Sequence, residues 1–380
     1  MSRLFHTIVI GAGIAGLNAG RFLEDEALIL DKKKEIGLPV QCGEGISIHA
    51  LERENLDLNP HWIRSYIHRI KRIMPNGKYI GERHDNPYAL VLDRRGFEKH
   101  LASLVPWEIR LNAGVVDVYR ENGLWAVETD TGDVYRSSFL VGADGPASLV
   151  ASRVFHLRHS LIPAMNYTVD FEKPLPTDEL QMYIGNHIAP SGYGWCFPLS
   201  DHEANVGILI NRKGGIRDYF NGFINTVLKP LYGELNLQQN KSGTLPVNGF
   251  KPPCTLDRAF LIGDAGAFTD PIFEGGMNMA LLTGRLCARS INMGDPDRYQ
   301  REINALPFTG EELVNARKTF FSLGDETLND LGDVIDGAGT SYLGTAEGRK
   351  AFAGRPNLVK NQVAIAQFAK TWQVAKDYLW

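Results

Sequence analysis

Hydrophobic residues along this chain fall into patterns of two kinds. The first is a continuous apolar run with no polar alternation, which predicts a strand buried on both faces of a parallel sheet. Thr7–Ile10 is such a run, and Ala27–Leu30 is the next, with helical spacing between them. Runs of the same kind return at Tyr88–Leu92, leading into a helix over Phe97–Leu104, at Phe139–Val141, and at Phe260–Ile262, followed by a helix over Gly276–Met293. Because these signals recur far apart, the domain they build is interrupted. The second kind is a strand-turn pattern. Ile67–Tyr79 reads as a hairpin around Pro75-Asn76-Gly77, and Val115–Arg120 with Trp125–Thr129 as another around Asn122-Gly123. From 165 to 211 come four strand-like runs, Ala164–Phe171, Leu180–Ile188, Gly192–Leu199 and Ala204–Ile210, joined by short polar turns. They predict an antiparallel sheet in a second domain. Residues 216–237 and most of 297–380 read as helical, and no internal repeat or low-complexity tract is present.

Composition removes several function classes. The 380 residues are 44% apolar and 22% charged, which suits a globular chain of two domains. A formal net charge of −4 gives no global attraction to nucleic acid, and none is expected as a partner. Cys42, Cys196, Cys254 and Cys287 are scattered without a C-x-x-C pair, so neither a zinc site nor a disulfide framework is expected, and a reducing cytoplasmic compartment fits. The ten histidines form no metal-ligand spacing, so no metal is expected. No signal peptide is read before Thr7 and no run of eighteen apolar residues exists, which leaves peripheral membrane contact open.

Candidate chemistry starts between the first two runs. Gly11, Gly13 and Gly16 have the spacing G-x-G-x-x-G, and Asp31 ends the second run twenty residues after Gly11. Gly11 allows the strand-to-helix turn, Gly13 lets backbone approach a pyrophosphate, and Gly16 lets helix and strand pack closely. The helix N-terminus offers free N–H groups to phosphates, and Asp31 can accept a ribose hydroxyl. This predicts a dinucleotide site without choosing between NAD and FAD. Lys32-Lys33-Lys34 is read as a solvated turn near the adenosine, Gly37–Ser47 as an irregular loop, and His49–Leu56 as a helix.

Four further stretches carry a resemblance. GADGPAS (Gly142–Ser148) and FLIGDAGAFTDPIFEGGMNMAL (Phe260–Leu281) resemble the second and third cofactor motifs of p-hydroxybenzoate hydroxylase-type flavoproteins. PVQCGEGIS (Pro39–Ser47) and APSGYGWCFP with ANVGI (Ala189–Pro198, Ala204–Ile208) resemble the P-x-x-C-G loop and Y-x-W-x-F-P strand of the geranylgeranyl reductase family, nearest to its archaeal branch, which reduces isoprenoid chains of membrane lipids. The likeness runs from residue 5 to about 335, and it departs from the family pattern at DPIFEGGM, where a threonine and an extra glycine are usual. It implies an α/β fold: a Rossmann-like, p-hydroxybenzoate hydroxylase-type FAD-binding domain with an inserted antiparallel-sheet substrate domain and a helical C-terminal region. The expected segments are 1–65, 88–160 and 255–300 for the FAD-binding domain, 66–87 and 161–254 for the substrate domain, and 301–380 for the helical region. FAD contacts are implied at Gly11, Gly13, Ala15, Gly16, Asp31, Lys32, Cys42, Gly43, Arg94, Val115, Asp144, Asp264, Gly275, Gly276 and Met277. For Arg94 the alternative is an ion pair with Asp93 or Glu98.

The implied activity is FAD-dependent saturation of C=C bonds in a long isoprenoid chain on a lipid or its diphosphate, with NAD(P)H or a reduced ferredoxin-type carrier as electron donor. By the period of two, Tyr193, Trp195 and Phe197 share one face of their strand and Cys196 takes the other. Tyr193 and Trp195 are the candidate wall and cation stabilisers, Phe197 extends the substrate surface, and Gly194 is read as leaving room for a slim alkyl chain. Cys42 is expected beside the flavin, either taking part in proton transfer or only shaping the pocket. His49 is read as an ordinary helix histidine. Rival readings are an FAD-dependent aromatic monooxygenase, a flavin halogenase (GWCFP lacks the second tryptophan of G-W-x-W-x-I-P) and a non-catalytic lipid-binding flavoprotein. In the tail Val363–Trp380, Ile365, Phe368, Trp372, Val374, Leu379 and Trp380 form a face that either docks on the body or touches lipid.

Overall fold

A computed structural model describes residues 3–379 except 213, 248, 271, 308 and 310, with side chains at 372 and from 374 onward left out. The apolar run Leu4–Ile10 lies at the centre of the first sheet. It pairs in parallel with Ala27–Leu30 on one side and with Val134–Gly142 on the other, Val9 standing opposite both Ile29 and Val141. Ala259–Leu261 joins Val134–Gly142 in parallel, as the recurring runs predict. The opposite edge is Glu108–Arg110, which pairs with Ala27–Leu30 but is too short and polar to stand out in the pattern. The hairpin Val115–Glu121/Leu124–Thr129 extends antiparallel from Val134–Gly142. Ile8, Val9, Leu28, Ile29 and Leu30 are all fully buried, which is why their strands show no alternation.

Helix Ile14–Phe22 crosses from the first of these strands to the second, and helix Met277–Asn292 packs alongside it. A Cβ on Gly284 would come within 2.6 Å of the Ala15 carbonyl, so the two helices meet at backbone distance. Gly11 has φ +110, and a Cβ there would fall 2.2 Å from the Ala143 carbonyl oxygen.

The second sheet runs, in spatial order, Leu235–Asn240, Leu161–Phe171, Glu203–Leu209, Tyr193–Pro198, Glu179–Ile184, Arg69–Ile73 and Tyr79–Ile80, with Gly243–Pro246 also on Leu161–Phe171. It is not wholly antiparallel. Arg69–Ile73 joins Glu179–Ile184 in parallel, because that hairpin arrives at the sheet edge from a distant part of the chain. One face holds Tyr193, Trp195 and Phe197; the other holds Cys196, Val206 and Ile208 beneath helix Ile216–Phe223 and its continuation to Tyr232. That helix stops earlier than its apolar pattern suggests, since residues 235–240 turn back as the edge strand, and it carries a π-helical turn at Ile224–Leu228 just before Pro230 removes a backbone donor. The face assignment corrects one expectation. Gly194 points to the helix side, where a Cβ would lie 3.1 Å from the Phe223 ring, so it makes room for Phe223 rather than for a ligand.

A third, three-stranded sheet, Gly45–Ser47, Ala89–Leu92 and Ile63–Ile67, stands apart from the first; the apolar run at 88–92 therefore corrects the expectation of a parallel strand, since it pairs antiparallel on both sides. Asp93 caps the following helix by accepting from Gly96 N–H at 3.1 Å, which makes Arg94 its first residue. In the C-terminal helices the described part of the tail docks: Ile365 is buried and Phe368 stacks on Phe320 at 4.2 Å between centroids. Trp372, Val374, Leu379 and Trp380 fall outside the described side chains. No helix among the described residues is long and apolar enough to cross a membrane.

Gly11→Ala forces both a positive φ and a backbone overlap, so a loss of at least ~2 kcal/mol of stability is expected in urea unfolding. A wild-type midpoint in that variant would mean the turn is not built as described.

Candidate functional site

A cavity of about 270 Å³ opens where the first sheet, the Gln41–Gly45 loop and the Tyr193–Pro198 strand meet. At one end are two helix N-termini. Helix Ile14–Phe22 starts at Gly13 and helix Met277–Asn292 at Gly276, and neither has a capping side chain. Nothing lies within 4 Å of where a Gly13 Cβ would be, so the free N–H groups of that turn face open space. Uncapped N-termini carry partial positive charge, and together these two form an anion cradle.

Asp264 sits at the N-terminus of the second helix, its Oδ1 3.3 Å from where a Gly276 Cβ would be. Burial pushes its carboxyl up, while Arg94 and His159 pull it back. Arg94 is tied to Glu98, Nε to Oε1 at 2.7 Å, and also reaches the Cys42 side chain. Burial works against its charge, but Glu98 and Cys42 outweigh that and raise its pKa. The Glu98 partnership expected as an alternative is therefore present, yet it is buried, with Glu98 only 4% exposed, and Arg94 lines the cavity all the same.

The opposite wall is the aromatic strand. Tyr193 donates its hydroxyl to the Phe273 carbonyl at 2.5 Å, and burial holds its phenol well above the ordinary range. Trp195 donates Nε1–H to Asn205 Oδ1 at 3.0 Å, and its ring occupies the space a Gly207 side chain would need. Asn205 Nδ2 in turn donates to the Cys42 carbonyl (2.7 Å) and to Glu44 Oε2 (2.9 Å). Asn166 also donates to the Cys42 carbonyl, at 3.1 Å. Lys241 Nζ donates to Glu44 Oε2 at 2.6 Å, and this pair is almost completely buried. So the Cys42 loop is held against the second sheet by a charged, fully engaged network, and a Gly43 Cβ would be in contact with both Phe197 and Trp195.

Residues 162–240, which include that aromatic strand, match the model of the geranylgeranyl reductase catalytic domain. Digeranylgeranylglycerophospholipid reductase 1 of Methanococcoides burtonii is 30% identical over 368 residues, with 87% of each chain aligned. The chain belongs to the geranylgeranyl reductase family. Its fold is similar to that of a geranylgeranyl bacteriochlorophyll reductase-like protein of Thermoplasma acidophilum, with a TM-score of 0.81 and 25% identity over 95% of this chain and 99% of that one. It also resembles the flavin-dependent brominase Bmp2, at a TM-score of 0.69 and 17% identity over 97% and 100% of the two chains, which shows the shared flavoprotein fold alone.

The cavity brings together Gly13, Ala15, Cys42, Gly43, Arg94, Tyr193, Trp195, Phe197, Asp264, Gly275, Gly276 and Met277 among the residues singled out in the sequence. Six others do not line it. Gly11 and Gly16 form the turn behind it, each too crowded for a side chain. Asp31 accepts from Ala12 N–H at 2.6 Å and Lys33 N–H at 2.8 Å, at the strand end beyond Gly13. Lys32 lies beside Gly114, and Val115 is partly buried against the apolar cluster that includes Leu30 and Ala113. Asp144 accepts from Ser148 Oγ at 2.6 Å and from Leu149 N–H at 2.7 Å, so its carboxylate closes the short helix Leu149–Arg153 instead of facing the cavity. His49 is exposed and pairs with Glu52 one turn on. Reading by motif missed Glu44, Asn166, Asn205, Lys241 and Glu274. Three of these stand inside quoted motifs, but nothing around Lys241 marks it, since its partner is 197 residues away.

The residues present fit FAD. An anion cradle of two uncapped helices, open space at Gly13 and an acid at the strand end suit its pyrophosphate and ribose.

Lys241→Met leaves Glu44 buried without its cation and is expected to lower stability by ~3–5 kcal/mol in chemical unfolding. The double variant with Glu44→Leu is expected to recover part of the loss. A double-variant loss equal to the sum of the losses of Lys241→Met and Glu44→Leu would show that the pair carries no coupling.

Proposed function

We propose that this chain is an FAD-dependent reductase that saturates C=C bonds of a long, geranylgeranyl-type isoprenoid chain on a lipid or its diphosphate. The observation that carries the reading is the placement of the aromatic strand and the Cys42 loop on facing sides of one cavity that runs to the two helix N-termini. Membership of the family, whose relatives bear the name digeranylgeranylglycerophospholipid reductase, supports it.

Gly13, Ala15, Gly275, Gly276 and Met277 bind the cofactor by backbone at the two helix starts, with Gly11 and Gly16 shaping the turn, Asp31 taking a ribose hydroxyl, and Lys32 and Val115 at the adenosine end. Arg94 and Asp264 set the charge along its middle, and Asp144 acts through the helix it caps. When bound, FAD supplies a hydride from reduced N5. An isolated trisubstituted double bond has no carbonyl to polarise it, so charge builds on a tertiary carbon during reduction. The faces of Tyr193 and Trp195 stabilise that charge by around 0.5–2 kcal/mol each, more in a cavity that excludes water. Phe197 continues the apolar surface toward the chain's outer end. Cys42 and Gly43 form the close wall across from Trp195. Electrons come from NAD(P)H visiting the site or from a reduced ferredoxin-type carrier, because the chain has one G-x-G-x-x-G and no separate nicotinamide fingerprint.

The deciding experiment reduces the FAD-loaded protein with dithionite under argon and adds a geranylgeranyl lipid. Reoxidation of the flavin with a gain of two hydrogens per bond by mass spectrometry is expected; a flavin that stays reduced with every polyprenyl lipid offered overturns the reading. Oxygen uptake that depends on an aromatic substrate would favour the monooxygenase instead. In the same assay Cys42→Ala is expected to keep FAD and to slow reoxidation about tenfold, equivalent to ~1.4 kcal/mol, through a looser wall.

A further inference from the structure

Glu274 is among the residues that line the same cavity, in a conformation that glutamate rarely adopts, with φ +54. Its side chain is only 2% exposed. Arg317, from helix Glu311–Phe321 and itself 4% exposed, grips one oxygen alone: Nε and Nη2 lie 2.9 and 2.7 Å from Oε1. Oε2 is buried and has no hydrogen-bond partner among the described residues. A left-handed glutamate costs of order 1 kcal/mol, and a bare buried carboxylate oxygen costs more. A proton on Oε2 removes the second cost by taking away the buried charge; the backbone strain stays.

We propose that Glu274 is the acid that protonates the substrate double bond, a role that rests on the reductase reading above. The double bond's π pair takes the proton from Oε2 at one carbon, breaking the acid O–H bond and forming C–H. The other carbon receives the hydride of the reduced flavin. Glu274 is left as a carboxylate beside Arg317, whose guanidinium stabilises the charge just as it forms. Arg317 keeps its own position through the Ser191 carbonyl at 3.0 Å and the Phe321 ring at 4.9 Å. The groups facing Glu274 are Arg317, Asp270 on its own loop, and Tyr193 on the aromatic strand, with Arg72 behind Asp270. Burial pushes the Glu274 carboxyl up to about 8, with Asp270 adding to the rise and Arg317 opposing it. The acid form is therefore the one present at neutral pH, and it is lost as pH rises through about 8. Assigning the proton to Glu274 leaves Cys42 as a wall residue.

The test uses the FAD-loaded full chain and Glu274→Gln, which retains the shape and an oxygen for Arg317 but has no acidic proton. Glu274→Gln is expected to keep the bound-flavin spectrum and to slow anaerobic reoxidation by a geranylgeranyl lipid at least ~100-fold. Glu274→Asp is expected to recover part of the rate. Independently of turnover, the infrared difference spectrum of wild type minus Glu274→Gln at pH 7 is expected to show the C=O stretch of a protonated carboxylic acid, disappearing near pH 8. Wild-type reoxidation with an unslowed Glu274→Gln, or no protonated-acid band at pH 7, overturns the acid role alone. A wild-type flavin that no polyprenyl lipid reoxidises overturns the reductase reading and the acid role with it.

Discussion

The structure depends on how the Cys42 loop is held. The loop leaves the first sheet's side of the molecule and must stand against the Tyr193–Pro198 strand of the second without filling the space between them. Apolar packing alone would close that gap. Instead the loop is suspended by hydrogen bonds from Asn205 and Asn166 to the Cys42 carbonyl, with the Glu44–Lys241 pair behind. Burying two charges is a poor way to gain stability, because desolvation offsets most of the attraction. Its use here is directional. Glu44 Oε2 accepts from both Lys241 and Asn205, so Asn205 has one orientation, and that orientation also fixes the Trp195 ring through Nε1. One network therefore sets both walls of the cavity.

At the other end of the cavity the constraint is what has been left out. Most helix starts in the chain with a polar residue before them are capped by it: Asp93, Ser148, Asp295 and Thr345 each accept from their own helix. The two helices that open on the cavity begin with glycine and have no such cap. A serine or aspartate at either position would satisfy the N–H groups internally and remove the attraction for a phosphate. Glycine leaves those donors free and also leaves space beside them. Asp144 shows the opposite case, an acid in a cofactor-type motif whose carboxylate is fully used by a neighbouring helix.

This difference explains how far the residues could be read without coordinates. The strand-turn-helix unit at Thr7–Phe22, the buried runs that pair in parallel, and the face shared by Tyr193, Trp195 and Phe197 all follow from local pattern, because period and glycine spacing act over a few residues. What could not be read depends on which element lies across. Gly194 and Gly207 stand on neighbouring strands and look alike in sequence, yet one accommodates Phe223 from the covering helix and the other Trp195 from within the sheet. Lys241 lies in a stretch with no motif and becomes important only when the fold brings it to Glu44. The helical pattern over 216–237 runs into the first residues of the edge strand Leu235–Asn240, whose mostly exposed polar positions give no strand signal of their own.

Glu274 joins these two ends of the cavity. Its loop leads directly into Gly275 and Gly276, which open the second uncapped helix, and the carbonyl before it, on Phe273, accepts the Tyr193 hydroxyl of the aromatic wall. Arg317 pins the same side chain from the C-terminal helices, so three parts of the chain distant in sequence converge on one residue in a left-handed conformation. A glycine would relieve that backbone strain without disturbing the turn. With glycine, however, Arg317 would remain buried without the Glu274 carboxylate, and the cavity would lose the acid that Arg317 holds. The strain is thus the local consequence of placing a carboxyl where the two halves of the site meet, and Arg317 is what allows it to persist.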